Sequence, residues 1–214
     1  MTRARLVVAV RRESVCSPGV SGTVLFTVPC FEIRAGEIVG LTGESGCGKS
    51  VFSRSLALRD RRIRYIPQEY AQTFSPHVSL ERQIMLAAHN GVGAAEVIRA
   101  CGLAQDGVYR RSSQMVSGGQ LQRAAIARAL AASAELVIAD EISAAQDAIR
   151  KRELADLIHR LSREQSVAFL VISHDTRLLE TLCDRRYAIE NGVISCLSDQ
   201  GTSVADRAMQ RPGV

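Results

Sequence analysis

The chain has 214 residues, of which 46% are hydrophobic and 23% are charged. This length and composition allow a buried core with a small subdomain, and they exclude a disordered or fibrous protein. The formal net charge is +5, yet only two of the 27 basic residues are lysines and the arginines are spread along the chain. We therefore expect a solvated surface and no nucleic-acid partner; the run 59–64 leaves an anionic partner open as an alternative to an exposed turn.

Location and redox state follow from two further features of the composition. The chain has no run of about 18 apolar residues, which a membrane-spanning helix needs. Residues 1–5 lead into a strand-like segment and not into a signal peptide, so we expect a soluble, cytoplasmic protein. The six cysteines, at positions 16, 30, 47, 101, 183 and 196, have neither C-x-x-C spacing nor the density of a disulfide scaffold, so reduced thiols are expected.

The N-terminal part of the chain reads mainly as strands. Residues 6–10 are rich in β-branched side chains and predict a strand, and the polar stretch 11–22, with its Gly and Pro, predicts a loop. Residues 23–28 and 30–33 are strand-like again. A tight turn then leads into a short buried strand at 37–42.

The stretch that follows this strand matches the phosphate loop G-x-x-x-x-G-K-[ST] in full. A helix is predicted directly after it, at 51–58, which is the context that the motif requires. Glycines let the backbone curl round an anion, the amides and the helix N-terminus point at it, the lysine adds a positive charge and the serine hydroxyl can hold Mg²⁺. The alternative is a glycine-rich turn before an ordinary helix. The predicted nucleotide-binding residues here are Gly43, Glu44, Ser45, Gly46, Cys47, Gly48, Lys49, Ser50 and Val51.

The middle of the chain changes to helical periods. A short strand at 63–66 ends at Pro67 and Gln68, and candidate helices follow at 80–89 and 94–101. A strongly apolar helix then runs from 116 to about 132. It is opened by Ser117, Gly118, Gly119 and Gln120.

The C-terminal part alternates strands and helices. Buried strands are predicted at 135–139 and 167–172, with an amphipathic helix at 144–163 between them. Asn191-Gly192 predicts a hairpin turn near the end. Strands that alternate with helices imply a largely parallel sheet, with ligand-binding residues collected at the carboxyl ends of its strands.

Polar residues follow three of these strands. Asp140 can hold the Mg²⁺ shell and Glu141 can polarise an attacking water, although a strand that ends in acidic residues is common. Gln68 can reach the metal or the water, against the alternative of a solvated turn residue. His174 can contact a terminal phosphate, against that of a capping histidine.

Residues 117–120 form a second helix start that contains glycines, and they predict a second anion-binding site, which we call the second seat. One domain does not need two seats for one phosphate. Two copies that face each other head to tail would use both, each lending its second seat to the nucleotide of the other.

Taken in order, these motifs resemble those of the ATP-binding cassette (ABC) ATPases over most of the chain. In that family residues 43–50 correspond to the Walker A loop, Gln68 to the Q-loop, residues 116–120 to the signature, Asp140 and Glu141 to Walker B with the catalytic glutamate, and His174 to the switch histidine. Residues 43–50 and the run Gln-Thr-Phe-Ser-Pro at 72–76 look most like the branch that drives dipeptide, oligopeptide and nickel importers.

The chain departs from the family pattern at several positions. No aromatic residue stands upstream of Leu25 to stack on adenine, and Arg11 and Arg12 lie near where one is usual. Only 17 residues separate Ser50 from Gln68, so the antiparallel β part looks reduced. None of these departures removes a catalytic residue.

The resemblance implies an α/β P-loop NTPase: a RecA-like core at 1–68 and 115–214, a helical subdomain at 69–114 and a reduced antiparallel β part. It implies ATP and Mg²⁺ as cofactors, Glu141, His174, Lys49 and Gln68 as catalytic residues, and Ser50, Gln68 and Asp140 at the metal. The implied partners are a second, unlike ABC ATPase subunit, two membrane permease subunits and an extracytoplasmic solute-binding protein, with the chain peripheral on the cytoplasmic face of the inner membrane. The alternatives are a soluble ABC-type ATPase acting on nucleic acid or an assembly factor, and a P-loop kinase.

Overall fold

The computed structural model describes residues 4–19, 23–88, 93–143 and 146–199. Their strands form one eight-stranded sheet in the order β1-β2-β8-β7-β3-β6-β5-β4. The strands are β1 (Leu6–Cys16), β2 (Val24–Arg34), β3 (Ile38–Gly43), β4 (Ile63–Ile66), β5 (Leu136–Asp140), β6 (Ala168–Ile172), β7 (Arg185–Glu190) and β8 (Val193–Asp199). The helices are α1 (Lys49–Arg59), α2 (Leu80–Ala87), α3 (Ala94–Ala100), α4 (Gly118–Ala131), α5 (Ala148–Gln165) and α6 (Thr176–Leu182), with 3₁₀ turns at Tyr70–Thr73, Gln105–Arg110 and Ser113–Met115.

The sheet is largely parallel, as the alternation of strands and helices predicts, and five of its seven strand pairs, β2–β8 among them, run parallel. Strands β7, β3, β6, β5 and β4 run parallel to one another, whereas β1–β2 and β7–β8 are antiparallel hairpins. The register pairs Leu41 with Ile172 and Ile172 with Asp140, so β3, β6 and β5 end at the same edge. Everything that follows those strands is thereby brought to one edge of the sheet.

Each central strand buries both of its faces, in two separate apolar clusters. In β5, Leu136 and Ile138 contribute to the cluster shared with β1, β2 and α1, and Val137 and Ala139 to the cluster shared with α2–α6. Because side chains alternate along a strand, a strand covered on both faces must be apolar throughout. This is the reason for the nearly unbroken apolar run that the sequence shows there.

Helix α1 is held against the β1–β2 hairpin by aromatic contacts. Phe52 meets Phe26 at a ring distance of 5.8 Å and Phe31 at 5.1 Å, both edge to face. Such edge-to-face pairs add to the free energy of burial. The hairpin therefore fixes the helix that follows the phosphate loop.

The helical region packs on α4. Leu80 and Ile84 of α2, and Val97 of α3, are buried in one cluster with Ala124 of α4. Both helices predicted for this region are confirmed; α2 is followed by its cap at Ala88, and residues 89–92 lie outside the described part of the chain. None of the helices among the described residues is long and apolar enough to cross a membrane.

Two predicted boundaries were wrong. The loop predicted to begin at residue 11 is strand up to Cys16, because β1 lies at the edge of the sheet, where alternate polar residues face solvent while Val10 and Val15 are buried. The helix predicted from residue 144 begins at Ala148, after Asp147, whose side chain accepts a hydrogen bond from the Arg150 amide at 2.9 Å. Residues 20–22 and 144–145 lie outside the described part.

The remaining predictions have mixed outcomes. Asn191 and Gly192 have φ values of 51° and 72° and make the predicted tight turn between β7 and β8. Helix α6 was not predicted. In the run 59–64, Arg59 pairs with Glu13 at 2.5 Å and Arg62 with Asp60 at 2.6 Å, which favours the exposed turn over an anionic partner.

Candidate functional site

The phosphate loop joins the end of β3 to the start of α1. Gly48, the helix cap, has φ 104° and no side chain that could cap the first amides of α1. A Cβ on Gly48 would lie 3.0 Å from side-chain atoms of Leu25 and Phe26, so glycine is required both by conformation and by space. The first amides of α1 thus form an open anion seat.

Lys49 is buried and bound to its own loop. Its Nζ donates hydrogen bonds to the carbonyl oxygens of Gly43 at 2.9 Å and Glu44 at 2.8 Å. An ammonium group has three donors. The two bonds fix the lysine over the loop, and Nζ makes only a long contact with Sγ of Cys47, at 3.9 Å, which an anion could replace.

The acidic pair lies at the end of β5, beside this loop. Asp140 is 4% exposed, and its Oδ2 accepts a hydrogen bond from the Tyr65 hydroxyl at 2.6 Å. Burial and the Asp140 carboxylate raise the pKa of Tyr65 to about 12, so its hydroxyl stays protonated and can donate. Sequence reasoning did not predict this contact.

Glu141 adopts an uncommon backbone conformation. Its φ is 50°, in the left-handed region, and its amide donates to the Ile172 carbonyl at 3.0 Å. A left-handed conformation costs a non-glycine residue roughly 1–2 kcal/mol. The bond to β6 helps hold the residue in this conformation.

His174 follows β6 and reaches the same place. Its Nε2 is 3.4 Å from Oε1 of Glu141, an oxygen that is buried and has no hydrogen-bond partner among the described residues. Burial raises the pKa of the Glu141 carboxyl, against the charges of His174 and Lys49, which lower it. A desolvated carboxylate of raised pKa is a stronger base than a solvated one.

Gln68 lies at the same edge, one strand further out. It is exposed and follows β4, whose Ile66 pairs with Ala139 of β5. The structure thus brings the ends of β3, β4, β5 and β6 together, with Asp140 as the last residue of β5 and Lys49, Gln68, Glu141 and His174 beyond the strands.

The second predicted seat, at residues 117–120, is separate from the phosphate loop. Ser117 and Gln120 form a capping box, in which the Ser117 hydroxyl accepts from the Gln120 amide at 3.3 Å and Oε1 of Gln120 accepts from the Ser117 amide at 2.9 Å. Ser117, Gly119 and Gln120 line a cavity of about 250 Å³, whereas Gly43, Glu44 and Cys47 line a different one of about 850 Å³. Within one chain the two seats do not form a common site.

We call the sheet edge at the ends of β3, β4, β5 and β6 the active edge. Contacts that the sequence did not reveal join α4 to it. Gln122 is buried and donates to the Ile142 carbonyl at 2.6 Å, and it accepts a bond from Gln146 at 2.9 Å. Arg128 lies 4.0 Å over the Phe74 ring and donates to the Thr73 carbonyl at 2.8 Å. Helix α4 therefore holds both the loop after Glu141 and the segment after Gln68.

The oxygen ligands at this edge fit a small hard cation. The Ser50 hydroxyl and the Asp140 carboxylate are groups that Mg²⁺ prefers, and no group of three or more His, Cys, Asp and Glu side chains that could hold a metal occurs among the described residues. Such a set matches a metal held jointly by one or two protein oxygens, phosphate and water.

Comparisons with known proteins identify the class. The sequence profile described as ABC transporter matches residues 53–144. The aliphatic sulfonates import ATP-binding protein SsuB 3 of Paraburkholderia xenovorans is 35% identical over 176 residues, which cover 77% of this chain and 70% of that protein. The chain belongs to the ABC transporter ATP-binding family.

A second relative and two solved structures agree with this. A Bacillus subtilis protein named as an oligopeptide transport ATP-binding protein, YkfD, is 30% identical over 80% of this chain, which spans 63% of that relative. CbiO1 of Clostridium perfringens, described as part of an ABC transporter complex, has a TM-score of 0.75 at 18% identity, over 86% of each chain. A dimeric ATP-binding cassette with ADP and Pi has a TM-score of 0.72, also at 18% identity, over 91% of this chain and 99% of that one. The fold is that of an ABC ATPase.

Proposed function

We propose that this chain binds MgATP and hydrolyses it as the nucleotide-binding subunit of an ABC importer. The main support for this proposal is that the phosphate loop, Asp140, Glu141 and His174 lie together at one edge of the sheet. The relatives named as import ATP-binding proteins support the transport role. In this proposal residues 1–68 and 115–214 are the ATP-binding core, and residues 69–114 the helical subdomain.

The phosphate loop would hold the triphosphate. Backbone amides of the loop and of the first turn of α1 would bind the anion, and Lys49 would add a charge that is already fixed over the loop. Ser50 and Asp140 would hold Mg²⁺, with Gln68 close to its water shell. Bound there, Mg²⁺ neutralises charge that develops on the phosphates.

Glu141 would activate the attacking water. Its carboxylate accepts a proton as the water oxygen forms its bond to the terminal phosphorus and the bond to the leaving oxygen breaks. His174, 3.4 Å away, would orient the carboxylate and contact the terminal phosphate. Desolvation of Glu141 favours proton acceptance once the residue is ionised.

The second seat explains why one chain would not suffice. The cavity beside Ser117 and Gly119 lies apart from the phosphate loop, so these residues would serve a nucleotide held by another subunit. Two subunits facing head to tail close two such composite sites, and hydrolysis would open them and move the permeases. Residues 142–147 read Ile-Ser-Ala-Ala-Gln-Asp, where the family pattern has Pro-Thr-Ser-Ala-Leu-Asp, and the adenine aromatic is missing. Because of these two departures we propose an unlike second ABC ATPase as partner.

The narrower parts of the proposal concern cargo and location. The chain would be peripheral on the cytoplasmic face of the inner membrane, bound to two permease subunits that receive solute from an extracytoplasmic binding protein. The cargo would be a small solute of the peptide, nickel or metal-chelate type. Relatives named for peptides and for sulfonates match to a similar degree, so the permease and the binding protein would select it.

Size exclusion of the Glu141→Gln variant with saturating MgATP tests this proposal. We expect a monomer when the chain is alone and a complex when a companion cassette is added, with phosphate release by the wild-type chain slow in its absence. Glu164→Gln, an exposed glutamate on α5, is the matched control. A stable ATP-dependent homodimer would contradict the unlike partner, and no nucleotide binding at all would contradict the ATPase.

A further inference from the structure

The active edge contains one contact that the proposed roles do not use. Tyr65 lies on β4, next to β5, where it pairs with Ile138. Its hydroxyl donates to Oδ2 of Asp140 at 2.6 Å. It thus reaches the carboxylate from the adjacent strand, from a position that no phosphate or metal role requires.

Both partners of this bond are held in place. Asp140 is 4% exposed, and a buried carboxylate that lacks a donor is strongly disfavoured. The Tyr65 ring packs against the cluster around α1, and the Arg54 guanidinium lies 5.7 Å from its centroid. An anchored ring with a short bond to a charged acceptor restricts the rotation of the carboxylate.

The geometry points to Tyr65 as a positioning residue for the metal: its hydroxyl occupies Oδ2 of Asp140 and would leave Oδ1 as the oxygen that serves the Mg²⁺ shell. This inference rests on the proposed MgATP site at Asp140. When a side chain that hydrogen-bonds a metal ligand is mutated, metal affinity typically falls by about tenfold to a hundredfold.

The test is the gain in nucleotide affinity on addition of Mg²⁺, measured by binding of a fluorescent ATP analogue first in EDTA and then with saturating Mg²⁺. In Tyr65→Phe we expect an unchanged affinity in EDTA and a gain about tenfold smaller than in wild type. Tyr187→Phe is the matched control: this buried tyrosine on β7 accepts a bond from the Glu32 amide at 3.4 Å, far from Asp140, and its loss should leave the gain unchanged.

A double-mutant cycle separates positioning from packing. Asp140→Asn should itself reduce the gain, and adding Tyr65→Phe should then change it by less than about twofold. An equal further loss in both backgrounds would show that the ring acts through packing and would overturn the inference.

The remaining outcomes are also decisive. If wild type gains no affinity from Mg²⁺, the proposed metal site fails; if wild type gains and Tyr65→Phe gains equally or more, only the role of Tyr65 fails. Thermal unfolding confirms that each variant is folded. Should Tyr65→Phe not fold, Tyr65→Leu, which also keeps an apolar side chain on β4, takes its place with the same expected loss.

Discussion

His174 Nε2 lies 3.4 Å from Oε1 of Glu141, and the two atoms do not form a hydrogen bond. The histidine side chain is 54% exposed and the glutamate side chain 14%, so the proposed base is covered while its neighbour is open to solvent. This arrangement lets a small movement of His174 change the environment of the base. It predicts distinct effects for changes at the two residues.

Replacing Glu141 with Gln should lower kcat by about a hundredfold or more, because the shape of the side chain remains while its basicity is lost. Nucleotide affinity should change less than about threefold, since the amide removes no group that binds the phosphates. Phosphate release and equilibrium binding measure the two quantities. Retention of more than about a tenth of the wild-type rate would show that another residue activates the water.

The pH dependence of kcat should reflect the buried position of Glu141. A base acts only when ionised, and burial raises the pKa of this carboxyl, so activity should fall with decreasing pH at a midpoint above that of an exposed glutamate. The charge of His174 lowers the same pKa, so His174→Gln should move this acid limb to higher pH. Rates across the pH range test this. A limb that stays in place, or moves to lower pH, would contradict it.

GTP should be hydrolysed nearly as well as ATP. No aromatic residue precedes Leu25 in the chain, and base–aromatic stacking contributes about 1–3 kcal/mol where it occurs. Arg11 is held by Glu32 at 2.6 Å, so Arg11→Ala should not alter the ratio of kcat/KM for the two nucleotides. A preference for ATP above about a hundredfold in the wild type would show that adenine is read by other groups.

Arg185→Met should lower the free energy of unfolding by about 2 kcal/mol, because it leaves Glu37 partly buried without its cation. Arg185 donates to Glu37 at 2.9 and 3.0 Å, and their side chains are 17% and 15% exposed. Burial raises the pKa of Glu37 despite this pairing. The difference in unfolding free energy between Arg185→Met and wild type should therefore shrink as pH falls and Glu37 becomes neutral, since a neutral carboxyl does not need the cation.

Urea unfolding at several pH values measures this effect. The matched control is Arg59→Met, because Arg59 pairs with Glu13 and their side chains are 41% and 43% exposed. A surface pair of that kind contributes less than about 1 kcal/mol. Equal losses for the two variants, or a difference from wild type that grows as pH falls, would contradict the role of the buried pair.

The residues at the active edge were predictable where a local pattern specifies them. The glycines and Lys49 form a contiguous motif, and Asp140 and Glu141 end an apolar run that is typical of a strand buried on both faces. Parallel strands then place these groups at one edge without further information. The family and fold were accordingly identified from the sequence and confirmed.

The contacts that fix those groups were not predictable, because they join distant parts of the chain. Tyr65 and Asp140 are 75 residues apart, and Gln122 and Ile142 are 20 apart. The second half of β1 also resembled a loop, because most of its residues are polar and face solvent. It is a strand because it pairs with β2, which the sequence of β1 alone does not show. Only the register of the sheet reveals such pairs.

The left-handed backbone of Glu141, with φ 50°, sets the needs of folding against those of the proposed catalysis at a single residue. Glycine would relieve the conformation and leave the chain more stable by roughly 1 kcal/mol, at the loss of the carboxylate. A substitution at this position that increases stability would therefore reduce activity. A more heat-resistant but inactive descendant of this protein would lie a single substitution away.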